Sequence, residues 1–319
     1  MVIMQPRHRA AVGGGSLLGG LRGLLAAVDQ DAALDGLSAR WGRAAFWTPT
    51  LGIPALAVVY VVHKWDFYWL LREDHVVEWS QFGFLVIASL GALVAAVRYA
   101  RQGRWLLAAL LLLVAVTAFG MAGEEISWGQ RVFGWSTPAD LAQGNRQGET
   151  NLHNIDIGVP VAADDIADYI EMLMGAGGVV LSVFSRLPGA LFHRTVLWDL
   201  APPLAAVPGF AWMIVYQLGM RVTGTGAAPA ILYQEWVEFG FYGAIALTVA
   251  CVFARAASGR VIVVPVPRRG SRRLAPCAPA RMGPIMVVSA LALLLTIVLA
   301  VLTSRTGKLP GNVPGSLAT

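Results

Sequence analysis

Carboxylate side chains gather at the ends of apolar segments in this 319-residue chain. Glu78 opens one such segment, Glu124 and Glu125 close the next, and Glu235 and Glu238 open a later one. Ionisable groups at the end of a membrane span are costly unless they meet partners, metal or water, so they mark functional positions. Clustered carboxyls can supply an acid and a base, or the oxygen ligands of a metal ion. The pattern predicts one polar site where these segment ends meet.

The densest polar stretch is Gly-Glu-Glu-Ile-Ser-Trp-Gly-Gln-Arg at residues 123–131, followed by Asn-Arg-Gln-Gly-Glu-Thr-Asn-Leu-His-Asn at residues 145–154. On a helix, Glu125 points about 100° away from Glu124, so only one of the two faces a given pocket. We assign the candidates three roles. The catalytic candidates are Glu78, Glu125, Glu149 and Ser127; the substrate-binding candidates are Arg72, Gln130, Arg131 and Asn151; and the candidate metal ligands are Glu124, His153, Glu235 and Glu238.

Three interpretations of this site stay open. A helical Glu-x-x-Glu pair with a histidine suits a divalent metal, which would be zinc, iron or manganese. Without a metal, the same carboxyls provide an acid and a base. Alternatively, Glu124 and Glu125 pair with Arg131 or Arg72 and hold helix ends together, without a role in catalysis.

The composition is typical of an integral membrane protein, with 56% hydrophobic residues, 13% charged residues and a mean hydropathy of +0.62. A membrane-spanning helix needs about 20 mostly apolar residues. We therefore predict an all-α, polytopic transmembrane bundle of seven spans, with six or eight as alternatives. The seven segments are residues 48–64, 77–97, 104–123, 170–187, 197–219, 231–254 and 283–303.

The domain organisation follows from these segments. Residues 1–47 are predicted to be an N-terminal segment with an amphipathic helix, and residues 48–303 the transmembrane domain. This domain includes an outer loop at residues 124–169, with a short helix between Ser136 and Gly144, and a basic loop at residues 255–281. Residues 304–319 form a tail.

Basic residues concentrate on one predicted side of the membrane. Residues 1–47, 98–104, 186–194 and 255–281 hold 17 of the 24 Lys and Arg, whereas 15 of the 19 Asp and Glu fall on the other side. The positive-inside rule then places the N-terminus in the cytoplasm and the carboxylates outside, as expected in a bacterial inner membrane. Binding of the basic loop to anionic lipid accounts for the net charge of +5 without nucleic acid as a partner.

An internal similarity links the second and sixth predicted spans. Glu-Trp-Ser-Gln-Phe-Gly-Phe at residues 78–84 matches Glu-Trp-Val-Glu-Phe-Gly-Phe at residues 235–241 in five of seven positions. Both stretches start a span that runs from outside to inside. The match indicates either parallel elements of a duplicated half or a coincidence between two interfacial helix starts. In both cases the two helices begin with carboxylates at equal depth.

Both polar motifs, together with Arg-Glu-Asp at residues 72–74 and Val-Glu-Trp at residues 77–79, resemble a family of uncharacterised bacterial multi-pass membrane proteins over residues 70–155. This resemblance implies the multi-pass architecture and no named activity. A seven-span chain with Glu, Ser, Asp and His at one face is also loosely similar to the alkaline ceramidase superfamily of zinc amidases, but this chain lacks that family's paired helical histidines. The Glu235–Glu238 pair is similar to the motif of iron permeases, with Gln234 where that motif has Arg.

We expect a membrane-embedded hydrolase or transferase, with or without a divalent metal, that acts on a lipid or lipid-linked substrate at the outer membrane–water interface. The membrane lipid would enter at headgroup level. One alternative is a non-catalytic subunit of an envelope complex that docks a membrane-protein partner. Another is a carrier for a metal ion or small cation, which would need polar residues deeper in the membrane. Residues 85–97, 106–116 and 244–253 are instead almost purely apolar.

Overall fold

The computed structural model describes residues 17–72, 75–145, 150–151, 163–186, 196–224 and 228–258. These residues form helices joined by turns and loops, without a strand among them. The helices are α1 (Leu17–Leu34), α2 (Ala39–Val62), α3 (Lys64–Leu71), α4 (Val76–Arg101), α5 (Trp105–Glu125), α6 (Gln130–Phe133), α7 (Ala139–Gly144), α8 (Ala163–Phe184), α9 (Val196–Leu200), α10 (Val207–Thr223) and α11 (Ala228–Ser258).

Five helical stretches in this described part are long and apolar enough to cross a membrane: α2, α4 together with α3, α5, α8 and α11. The all-α, multi-span character predicted from sequence is therefore confirmed. The first span begins earlier than predicted, at Ala39 rather than residue 48, because Ser38 caps the helix and its hydroxyl accepts a hydrogen bond from the Trp41 amide. Helix α2 therefore runs without a break across residues 47 and 48.

The fifth predicted span, residues 197–219, is not one helix. The short α9 ends at Leu200, residues 201–203 are not helical, and a single 3-10 turn at Leu204–Ala206 leads into α10. Pro202 and Pro203 explain the break, since proline lacks an amide hydrogen and disfavours helical backbone at the residue before it. The seventh predicted span, most of the basic loop and the tail lie outside the described residues.

Helices α4 and α11 run parallel and side by side. The Gln81 amide nitrogen donates to the Glu235 backbone oxygen at 2.6 Å near one end, and Gln102 donates to the Ala256 backbone oxygen at 3.2 Å near the other. Both contacts join residues 154 positions apart, close to the 157-residue offset of the internal sequence similarity. The two similar stretches therefore begin neighbouring helices at equal depth, as predicted.

Glycines allow α10 to cross α11 at short range. A β-carbon at Gly209 would lie 2.2 Å from the Gly240 backbone oxygen, a distance that forces the helices apart. Small residues have this role in many membrane bundles, because helix packing there depends on close backbone approach. The contact fixes the position of α11, which carries two candidate site residues.

Gly209→Ala is expected to destabilise the protein by about 1–3 kcal/mol, the usual cost of overpacking. The matched control is Gly219→Ala on the same helix, where nothing lies within 4 Å of the added methyl group. Thermal unfolding in detergent should show a lower midpoint for Gly209→Ala alone. Equal midpoints for the two variants would contradict the described crossing.

Arginine–aspartate pairs join the helices at one end of the bundle, here called the arginine end. The four aspartates that sequence analysis leaves on the basic side each contact an arginine: Asp29 with Arg43, Asp31 with Arg186, Asp35 with Arg255, and Asp199 with Arg104. The Arg43 guanidinium lowers the pKa of the exposed Asp29 carboxyl below its usual value through their hydrogen bond. Each of these four aspartates is thus paired with an arginine within the protein.

Candidate functional site

Four helices bring five carboxyl groups together at the opposite end of the bundle, here called the carboxylate end. Glu125, the last residue of α5, lies close enough to Glu235, Glu78 and Glu171 for their charges to interact. Glu238 interacts with Glu235, Glu171 and Glu125. We call these five residues the carboxylate cluster. The three carboxylate groups predicted from sequence to meet do so here, contributed by α4, α5 and α11, and α8 adds Glu171.

The described hydrogen bonds to this cluster come from neutral side chains. The Tyr242 hydroxyl donates to Glu171 Oε1 at 2.8 Å. Gln234 Nε2 donates to Glu238 Oε1 at 2.7 Å. Glu171 and Glu238 are only 8% and 9% exposed, so their carboxyls lie in the interior of the bundle.

Crowding carboxyls in apolar surroundings has a direct chemical consequence. Burial and like-charge repulsion both oppose a second negative charge beside the first, so such a group tends to hold protons or cations. Groups that exchange protons at one place are what acid–base catalysis requires. At the arginine end, each described aspartate has a guanidinium partner.

The sharp turn after α5 separates the two adjacent glutamates. Ser127 and Trp128 have φ angles of 46° and 55°, in the left-handed region that costs a non-glycine residue energy, and Gly129 follows at 79°. This turn folds the Trp128 indole back so that Nε1 donates to Glu124 Oε1 at 2.7 Å. Glu125 is the member of the pair that faces the cluster, and Glu124 turns to the indole.

The second motif packs onto the first through amide and hydroxyl groups. Asn151 Nδ2 lies 3.4 Å from Ser127 Oγ, and Asn145 donates to the Asn151 backbone and side-chain oxygens, both at 3.0 Å. The Thr150 amide donates to Gln130 Oε1 at 2.6 Å. These bonds hold the loop near the end of α5. Ser127, Gln130 and Asn151 are thus brought together, as their assignment to one site requires.

Several candidates remain without a described position. Glu149 and His153 lie outside the described residues, as does the side chain of Arg131. Arg72 is exposed and directly follows the last residue of α3. Nowhere in the described ranges do three His, Cys, Asp or Glu side chains converge in a way that could hold a metal ion. The metal set of Glu124, His153, Glu235 and Glu238 stays a prediction, since His153 cannot be placed.

Sequence reasoning missed Glu171 and Tyr242. A single glutamate inside the fourth apolar span was a signal for Glu171, because a lone acid at that depth marks a functional position. Nothing in the sequence distinguishes Tyr242 from other membrane tyrosines. Nearby Asp168 accepts a hydrogen bond from Gln217 at 2.8 Å and pairs with Arg221 at 3.6 Å.

No family model, curated protein or solved structure matches this chain.

Proposed function

We propose that this protein is a membrane-embedded hydrolase or transferase that acts on a lipid or lipid-linked substrate. One observation carries the proposal: Glu125 meets Glu78, Glu171 and Glu235 at the ends of helices long enough to cross a membrane. A site at this depth is within reach of a lipid that enters from the side. Its carboxyls come from separate helices, so each can have a different environment and a different role.

The chemistry assigns opposite roles to two carboxyls. Glu78, as general base, takes a proton from water or from an acceptor hydroxyl, whose oxygen then bonds to the acyl carbon or the phosphorus of the substrate. As the bond to the leaving oxygen or nitrogen breaks, that atom keeps the bonding electron pair and takes the proton of a neutral Glu125. Water restores both carboxyls by proton exchange. Such proton transfers contribute about 10²–10⁴-fold each to a rate.

Orientation in the membrane is part of this proposal. The basic N-terminal segment favours the arginine end on the cytoplasmic side of a bacterial inner membrane and the carboxylate end on the outside. A divalent metal held by His153 with Glu235 and Glu238 would supply a polarised water in place of the simple base. Both versions use the same cluster.

A cation carrier is less well supported by the packing beneath the cluster. The face of α4 below Gln81 is buried and apolar at Leu85, Ala88, Ala92 and Ala95, with exposed fractions of 0% for each. Helices α5 and α11 pack closely against this face. This apolar packing favours a site at one end of the bundle over an ion path that crosses the bundle.

The test is turnover of membrane lipids by the purified protein. The full chain is reconstituted in nanodiscs made from a total bacterial lipid extract, with and without added Zn²⁺, Mn²⁺ or Fe²⁺, and lipids are followed by mass spectrometry. We expect one lipid class to decline as a product of hydrolysis or group transfer accumulates. An unchanged lipid profile under all of these conditions would overturn the proposal.

A further inference from the structure

The guanidinium of Arg221, near the end of α10, is held in place by two neighbouring side chains. Its Nη1 donates to the Gln217 backbone oxygen at 3.2 Å and to Gln217 Oε1 at 3.1 Å. One face of the guanidinium covers the Tyr169 ring, with 4.2 Å between Cζ and the ring centre. Gln217 is only 2% exposed, and its Nε2 donates to Asp168 at 2.8 Å, so this support is itself fixed.

The other edge of this guanidinium, formed by Nε and Nη2, donates no hydrogen bond to the residues that the structure describes. The described hydrogen bonds of Arg221 both leave from Nη1, and Nη2 lies 3.6 Å from Asp168 Oδ2, too far for a hydrogen bond. The Arg221 side chain is 27% exposed. Because Nη1 is bonded and one face covers Tyr169, this edge is the part of the guanidinium left for a ligand.

The same edge binds an aspartate in two other arginines of this protein. In Arg186 and Arg255, Nε and Nη2 donate to the two carboxylate oxygens of Asp31 and Asp35, respectively, at 2.6–2.9 Å. Arginine binds carboxylate and phosphate groups in this bidentate geometry. Arg221 thus presents the same pair of donors, fixed in position, without a bidentate acceptor in the described part of the chain.

Arg221 lies close to the carboxylate cluster. Its neighbour Asp168 precedes Glu171 on α8 by three residues, so the two side chains share a helix face about one turn apart. The hydroxyl of Tyr216, on α10, donates to a backbone oxygen at the start of α11 at 3.1 Å and lies close enough to Glu238 for an electrostatic interaction. A ligand bound at Arg221 can therefore reach the cluster with another of its groups.

We propose that Arg221 binds the phosphate group of the substrate through Nε and Nη2. This inference rests on the proposed function and names the substrate class: a phospholipid or another lipid-linked phosphate, with the free phosphate ion as the soluble source of the same chemistry. In a glycerophospholipid, glycerol joins the phosphate to the acyl esters, so a phosphate at Arg221 leaves an ester within reach of the carboxylate cluster. Arg221 was outside every role predicted from sequence.

The experiment compares ligands that differ only in the phosphate. Dioctanoyl phosphatidic acid, dioctanoylglycerol and inorganic phosphate are titrated into the full-length protein in a non-ionic maltoside detergent, and binding is measured by calorimetry. We expect phosphatidic acid to bind at least about tenfold more tightly than dioctanoylglycerol, the effect of a charge-assisted hydrogen bond. Equally tight binding of inorganic phosphate would support the site and assign it to soluble phosphate. Equal affinity for the two lipids, without binding of inorganic phosphate, would overturn the inference.

A matched pair of variants tests the role of the guanidinium. Arg221→Gln should lose the preference for phosphatidic acid, whereas Arg43→Gln should keep it, because the same edge of Arg43 holds Asp29 at the opposite end of the bundle. The thermal midpoint is recorded for each variant to show that it is folded. A preference that survives in folded Arg221→Gln would contradict the assignment.

The charge beside the site gives a test of opposite sign. Asp168→Asn removes a negative charge next to the Nη2 edge, while its amide oxygen can still accept from Gln217. Phosphatidic acid should then bind roughly fivefold more tightly, the effect of one charge at about 4 Å in water. Unchanged or weaker binding in folded Asp168→Asn would contradict an anion at this edge.

Lipid turnover separates this inference from the proposed function. Arg221→Gln should raise KM for a phospholipid with little change in kcat, because Arg221 binds the phosphate both before and during the reaction. Phosphate-dependent binding without lipid turnover would support this site and overturn the enzyme proposal. Turnover of lipids with and without a phosphate at equal rates would do the reverse.

Discussion

Glu125→Gln is expected to lower lipid turnover by at least about 100-fold while the protein still inserts and folds. Glutamine has nearly the same shape, but it cannot deliver a proton to a leaving group. Loss of a general acid typically costs 10²–10⁴-fold in rate. The measurement is the initial rate of product formation in lipid nanodiscs, with the thermal midpoint recorded for each preparation.

The neighbouring residue offers a sharp comparison. Glu124→Gln removes a carboxylate one position away, whose described bond is to the Trp128 indole, and we expect it to slow turnover by no more than about tenfold, or ~1.4 kcal/mol. If Glu124→Gln proved as damaging as Glu125→Gln, the turn after α5 would not separate their roles. Full activity of Glu125→Gln would contradict the role of the Glu125 carboxyl as general acid.

Arg255→Met is expected to destabilise the protein by about 3–5 kcal/mol, the largest effect on stability that the fold predicts. The Arg255 side chain is 9% exposed and pairs at 2.6 Å with Asp35, whose side chain is 2% exposed. It also donates to the backbone oxygens of Asp199 and Ala201, so it joins α1, α9 and α11. Removing the guanidinium leaves the buried Asp35 charge without this partner.

Two further variants separate this cause from general damage to the core. Asp35→Leu combined with Arg255→Met should recover part of the loss, because replacing both members of a buried pair with apolar groups is often tolerated. Arg43→Met breaks the exposed pair with Asp29 and should cost at most about 1 kcal/mol. Thermal unfolding in detergent measures all three. Similar losses for Arg43→Met and Arg255→Met would contradict the description of the arginine end.

Hydropathy alone predicted most of the helical architecture. The cores of α4, α5 and α11 coincide with predicted spans because each is a long apolar run ended by charged or polar residues. The errors have local causes. The predicted first span omitted the first two turns of α2, which contain Arg40 and Arg43. Charged residues lower the hydropathy of a window, although a helix can carry them at its end. Pro202 and Pro203 divided the fifth span, where composition alone indicated one helix.

The candidate site was only partly predictable, because the hydropathy of a sequence does not determine which helices pack against each other. The shared depth of Glu78 and Glu235 followed from their positions at the start of two spans. Glu125 rather than Glu124 faces the cluster because of the left-handed turn at Ser127 and Trp128. The sequence does not indicate this turn, since neither residue is a glycine. Glu171 joins the cluster through the packing of α8 against its neighbours, which only the three-dimensional structure shows.

The most direct test of the convergence of helices at the carboxylate end is a double-mutant cycle between Glu125→Gln and Glu235→Gln. The free energy of unfolding is measured by SDS titration in mixed micelles for the wild type, both single variants and the double variant. Because the two carboxyls lie close enough for their charges to interact, we predict a coupling energy of roughly 0.5–3 kcal/mol. The control cycle pairs Glu125→Gln with Asp66→Asn, an exposed residue outside the cluster, and should be additive within about 0.5 kcal/mol. Additivity in both cycles would contradict the carboxylate cluster, and with it the site on which the proposed function depends.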